Sequence, residues 1–202
     1  MRLSLAAIAL IASPALAQVS YTSQARSVHA WSTGLAFGGP NLTITAPDFA
    51  PFVQTASSVS SDCSATAYQS SSLEPGGIFA QFSTQGSEHS GFQGIASAAL
   101  DVTFQVSAAT PWSLTGSYNQ LSSVLLTTQA GSTIFSAPMG SAGALSTGGV
   151  FDPGLYRLRV TCQPEPGPST LSAVSVSLAV PGPGPIALLA MLGLSARRPR
   201  RA

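Results

Sequence analysis

Hydrophobic and polar positions alternate along this chain with a period of two. Leu100, Val102, Phe104 and Val106 are separated by Asp101, Thr103, Gln105 and Ser107, a pattern that gives an extended strand one dry face and one wet face. Tyr156, Leu158, Val160 and Cys162 alternate in the same way with Arg157, Arg159 and Thr161, and Val174, Val176, Leu178 and Val180 with Ser175, Ser177 and Ala179. Weaker alternation predicts further strands over 20–31, 42–45, 53–68, 78–84, 113–118, 123–129 and 133–136. Turn formers punctuate the series: Gly38-Gly39-Pro40, Glu74-Pro75-Gly76-Gly77, Thr110-Pro111, Gly148-Gly149 and Asp152-Pro153-Gly154. Residues 18–180 carry no convincing 3.6-residue apolar period. Short alternating strands with Gly and Pro between them predict an all-β fold, an antiparallel β-sandwich that is jelly-roll-like or immunoglobulin-like.

Both ends depart from this pattern. Met1-Arg2, an apolar run over 3–12 and Ala15-Leu16-Ala17 have the charge, core and small-residue site of a secretory signal peptide, so residues 1–17 are expected to be removed. At the other end, Pro181-Gly182-Pro183-Gly184-Pro185 cannot continue a strand and makes a semi-rigid spacer. An uninterrupted small and apolar run over 186–196 follows, then Arg197, Arg198, Pro199, Arg200 and Arg201. As a helix that run spans roughly 16 Å against a hydrocarbon core of ~30 Å, so it predicts transient membrane insertion rather than a permanent span. The arginines would stay on the cytoplasmic side and place everything upstream outside. Residues 18–180 remain as one domain, long enough to bury a core of its own.

The ends resemble those of bacterial exported proteins with a PEP-CTERM-like sorting domain. The matching pieces are Val180-Pro181-Gly182-Pro183, the apolar run over 186–196, and the cluster Arg197, Arg198, Arg200 and Arg201. Gly182 stands where that family usually has Glu, and Pro164-Glu165-Pro166 lies well before the apolar run and reads as a loop. The resemblance implies processing by an exosortase-type membrane transpeptidase and delivery to the cell surface or an extracellular matrix. Ala46-Pro47-Asp48-Phe49, Thr110-Pro111-Trp112-Ser113-Leu114-Thr115-Gly116 and the segment from Phe151-Asp152-Pro153-Gly154 to Leu158 are also similar to recurring pieces of the Ser/Ala-rich ectodomains that carry such tails.

Composition narrows the functional classes. Only 7% of residues are charged and none is Lys. Between the end signals, Arg26, Arg157 and Arg159 face Asp48, Asp62, Glu74, Glu88, Asp101, Asp152 and Glu165, a net charge of −4 from three cations and seven acids. A mildly acidic domain has no electrostatic basis for binding nucleic acid. A hydrophobic fraction of 45% with so little net charge is also unlike a disordered chain.

Candidate chemistry is sparse. Cys63 and Cys162 fall on the inward parity of their strands. In an oxidising compartment they predict one disulfide closing a loop of about 100 residues, worth at most roughly 4.7 kcal/mol, with two buried free thiols as the alternative. No His or Cys lies at ligand spacing near either, so no metal and no cofactor is expected. Gly86-Ser87-Glu88-His89-Ser90-Gly91 gathers a hydroxyl, an acid and an imidazole, but neighbours on a Gly-flanked turn do not converge on one reacting atom, and it reads as a polar turn. Trp31 and Trp112 are the two candidate glycan-contact rings, with core filling the commoner fate of tryptophan. The expectation is a non-catalytic structural or interaction module at the cell surface or in the matrix. The alternative is a secreted polysaccharide-binding or polysaccharide-active protein, since sandwiches host both.

Overall fold

A computed structural model describes residues 19–163 and 170–181. These residues form β1 (Val19–Ser32), β2 (Leu42–Thr45), β3 (Phe52–Val59), β4 (Ser64–Glu74), β5 (Gly77–Gly86), β6 (Glu88–His89), β7 (Phe92–Val106), β8 (Thr110–Tyr118), β9 (Ser122–Thr128), β10 (Thr133–Ala137), β11 (Gly143–Phe151), β12 (Gly154–Cys162) and β13 (Thr170–Ala179). Two antiparallel sheets result. Sheet A runs β10-β9-β12-β7-β1-β2, and sheet B runs β11-β8-β13-β5-β4-β3, with β6 a short hairpin partner of β7. The fold is the all-β sandwich that the alternation predicts. Residues 1–17 of the expected signal peptide, and Gly182, Pro183, Arg197, Arg198, Arg200 and Arg201 of the expected sorting motif, lie outside the described residues.

The core is the sum of the inward parities. In β7, Ala96, Ala98, Leu100, Val102, Phe104 and Val106 are buried. Facing them from sheet B are Ala65 and Ala67 of β4 and Ile78, Ala80 and Phe82 of β5. Each fully buried Leu or Phe stabilises the fold by about 1.5–3 kcal/mol. Small alanines opposite large rings let the two layers interdigitate.

Three features differ from expectation. Thr110-Pro111 opens β8 instead of making a turn, which falls at 107–109. The predicted strand over 53–68 is a hairpin, β3 and β4, because Ser60 makes a turn without Gly or Pro: its Oγ accepts from the Cys63 N–H at 2.9 Å and donates to the Thr33 carbonyl at 2.6 Å. Gly148-Gly149 is no turn but the middle of β11. A Cβ at Gly148 would lie 2.6 Å from the Trp112 carbonyl oxygen, so glycine here permits close backbone approach to β8.

Between the sheets sits one cation. Arg26 takes an inward position of β1 and is only 1% exposed. Its Nη2 donates to the carbonyls of Asp48 at 2.6 Å and Ala50 at 2.8 Å, its Nε to Gln24 Oε1 at 3.1 Å and its Nη1 to Ser71 Oγ at 3.3 Å. The guanidinium also lies 5.6 Å from the Phe52 ring centroid. Burial pulls its pKa below the ordinary guanidinium value, and the charge of Asp48 opposes that pull. Arg26 thus ties the β2–β3 loop with its Ala46-Pro47-Asp48-Phe49 segment to the core, and Tyr21 of β1 stacks on Phe49 at 6.3 Å between centroids. Gln24 adds a bond from Nε2 to the Ala46 carbonyl at 3.2 Å.

Candidate interaction surface

The outward face of sheet B is nearly free of charge. Glu74, at the β4–β5 turn, is the only charged residue in its six strands. Register sets hydroxyls and amides side by side: Ser146, Thr115, Ser177, Phe79 and Ser72 form one row across five strands. Ala144, Ser117, Ser175, Gln81, Ser70 and Val53 form the next row, across all six. Two rings stand on this face, the exposed Phe79 and the half-buried Tyr68. Neutral donors and acceptors beside apolar patches suit contact with an uncharged, hydroxyl-bearing polymer, which aromatic faces stack on and amides hydrogen-bond.

Sheet A turns a different face to solvent. Asp101 on β7 is held by Arg157 of β12 through a two-pronged pair, Nε to Oδ1 at 2.6 Å and Nη2 to Oδ2, while Arg159 Nε reaches Oδ2 at 3.1 Å. Desolvation would raise the Asp101 pKa, but the hydrogen bond and charge of Arg157, with help from Arg159, outweigh it and hold the carboxyl below its ordinary value. Asp101 in turn raises Arg157. Two guanidiniums share this one carboxylate, so the group keeps one net positive charge on the outward face of sheet A, with Arg157 and Arg159 both partly exposed.

The two tryptophans separate. Trp112 is 8% exposed, inside the core, and stacks on Phe151 at 5.1 Å between centroids, so it is no surface contact. Its parity with Leu114 explains this: Thr110, Trp112 and Leu114 all point inward from β8. Phe151 passes the stack to Tyr156 at 4.3 Å. The Tyr156 hydroxyl donates to the Asp152 carbonyl at 2.7 Å, a tyrosine-corner arrangement that fixes the Asp152-Pro153-Gly154 turn. Burial raises the Tyr156 pKa. Trp31 alternates instead with the inward Ala30 and Ser32, and is half-buried on the wet side of β1 opposite Ile95 of β7. Two positions away, His29 Nε2 pairs with Asn41 Oδ1 at 2.9 Å.

The expected disulfide is absent. Cys63 and Cys162 are both buried free thiols. Cys162 donates to Ser172 Oγ at 3.0 Å and lies 3.4 Å from Thr84 Oγ1, whereas Cys63 donates to the Phe92 carbonyl at 3.0 Å. Parity placed both sulfurs inward correctly but says nothing of their level along the strands. Cys162 sits beside Thr84, while Ala65, two residues after Cys63, already pairs with Gly86. The offset of about four residues is ~13 Å of strand, beyond the ~7 Å between Cα atoms that a bridge tolerates. Burial raises the Cys162 pKa, and its hydroxyl partners only partly offset this.

The Gly86–Gly91 segment is a hairpin whose turn residues Ser90 and Gly91 have φ of 51° and 83°. Ser87 Oγ is engaged by the Ser64 backbone, accepting from its N–H at 2.9 Å and donating to its carbonyl at 3.2 Å. Glu88 and His89 are successive residues of β6 and project to opposite sides. Surface concavities lie at turns. One, of about 570 Å³, is lined by Gln129, Asp152 and Tyr156, and another, of about 390 Å³, by Pro47, Asp48 and Phe52; each holds one carboxylate. Among the described residues no three His, Cys, Asp or Glu gather as metal ligands, and no helix is long and apolar enough to cross a membrane. At the start of the expected sorting motif, Val180 is buried with its N–H on the Gly76 carbonyl at 2.8 Å, and Pro181 is exposed.

Neither protein-family models, nor curated proteins, nor solved structures give a match to this chain.

Proposed function

We propose that this chain is an exported cell-surface or extracellular-matrix protein, delivered by its PEP-CTERM-like tail, whose sandwich is a non-catalytic structural or interaction module. The observation that carries the proposal is the outward face of sheet B, six strands wide with Glu74 as its only charged residue. Such a face binds by burying area and exchanging hydroxyl hydrogen bonds, and offers no pKa-tuned group to lower a chemical barrier. In this reading the sandwich is jelly-roll-like. From β7 onward the chain passes between the sheets at every connection but β9–β10, more often than an immunoglobulin-like topology does.

An exosortase-type transpeptidase would act on the tail as it sits transiently in the membrane. The test is cell fractionation with mass spectrometry of the C-terminus. The expected product is found at the surface or in the matrix and lacks the apolar run over 186–196, and deleting 186–202 should divert the protein to the periplasm or medium. An intact chain retained in the cytoplasm, or surface retention of the truncated form, would overturn the proposal.

A second reading, binding to extracellular polysaccharide, is favoured by the half-buried Trp31 beside the His29–Asn41 pair. Co-sedimentation with a neutral insoluble glucan should then be weakened by Trp31→Ala and little changed by salt, since so few charges are there to screen. Equal sedimentation of both forms counts against it.

A further inference from the structure

We propose that the folded unit joins head to tail with further copies of itself, the β11 edge of one sheet B pairing antiparallel with the β3 edge of the next. This goes beyond the sorting and surface role and does not depend on export. Edge strands present a row of unpaired N–H and C=O groups, and proteins that stay monomeric blunt them with charge, proline, bulges or brevity. Sheet A is blunted: β2 has four residues, and the five-residue β10 is interrupted by a register shift. Sheet B is not. β3 has eight residues and β11 nine, each in unbroken register with its single neighbour, and neither contains a charged residue or a proline. Three large apolar side chains stand exposed on these two strands, Val53 at 58%, Val59 at 63% and Val150 at 67%.

The topology supplies the direction. All five neighbouring pairs in sheet B are antiparallel, so its two edges, β11 and β3, run opposite ways. A second copy set alongside by translation therefore brings an opposed strand to each free edge, and the antiparallel order continues across the junction. Faces are preserved too. Setting Val53 opposite Val150 puts Thr55 against Gly148, Ser57 against Ser146 and Val59 against Ala144, outward residue on outward residue. β-branched Val53 and Val150 then form a cross-strand pair. An interface of this kind does not close on itself, so it builds an open chain of copies.

The full chain, examined by size-exclusion chromatography with light scattering over increasing concentration, should rise in mass above its 20.4 kDa. Two edge-blocked forms separate the pairing modes: Thr55→Lys with Ser57→Lys on β3, and Ala144→Lys with Ser146→Lys on β11, all four at exposed positions. Melting curves like that of the parent establish that each is folded. Either form alone should remain monomeric. An equal mixture should give a one-to-one dimer, because the intact β3 of one meets the intact β11 of the other. A parent that is monomeric at every concentration would overturn the proposal. So would self-dimers of a single blocked form, which signify symmetric pairing of like edges.

Discussion

Arg26 gives the sharpest test of what holds this sandwich together. Replacing it by Met keeps length and apolar stem but removes four donor contacts, two of them to the carbonyls of Asp48 and Ala50. Hydrogen bonds from a charged donor contribute about 1.5–3 kcal/mol each. Two effects reduce the sum: the guanidinium no longer has to be desolvated, which offsets several kcal/mol, and the exposed Asp48 and Ala50 allow water to reach part of what is freed. The net loss is expected at about 2–4 kcal/mol, lowering the melting temperature by roughly 4–16 °C at ~2–4 °C per kcal/mol. Arg26→Lys should recover less than half, since an ammonium cannot match the planar fork. Thermal and urea melts measure the loss, and amide exchange over 46–51 should localise it to the β2–β3 loop. An Arg26→Met protein as stable as the parent would refute the reasoning, and mean that desolvation of the cation cancels everything it binds.

Two further outcomes follow from the site geometry. Denatured, unreduced protein should titrate two thiols, while in the native state both react slowly, because both are buried and the raised pKa of Cys162 keeps it protonated near neutrality; a denatured protein with no thiols would restore the disulfide. Asp101 has a folded pKa below its unfolded value, so its contribution is fully present above the ordinary carboxylate pKa of about 3.9 and is lost as pH falls through the lowered one. Asp101→Asn should therefore cost only about 0.5–1 kcal/mol at pH 7, as fits a partly exposed group, and flatten the acid limb of the stability profile; an unchanged acid limb would argue against the pairing.

Runs of consecutive apolar inward positions were plain in the sequence: Leu100 to Val106 in β7, Tyr156 to Cys162 in β12 and Val174 to Leu178 in β13, where the inward Ser172 ends the run. β11 was not, because only Leu145 and Phe151 of its nine residues are buried and a Gly pair sits between them. The same glycines serve close approach to Trp112, and composition cannot distinguish that use from a turn. The fate of Trp112 was readable from its shared parity with Leu114. The role of Arg26 was not, since alternation marks a charged residue as wet unless the partners that satisfy it are known. Neutrality was visible in the composition, but its concentration on one face depends on which strands share a sheet, and long-range pairing decides that.

The opposite placements of the two tryptophans give the molecule two independent optical reporters. Trp112, packed against Phe151, should emit at short wavelength, resist acrylamide and change only on unfolding. Trp31, half-buried on the wet side of β1, is the ring more accessible to quencher and to anything that settles on sheet A. With Trp31→Phe the emission becomes a clean measure of folding, and with Trp112→Phe a measure of surface occupancy. One chain can thus tell a ligand that covers it from a solvent that melts it.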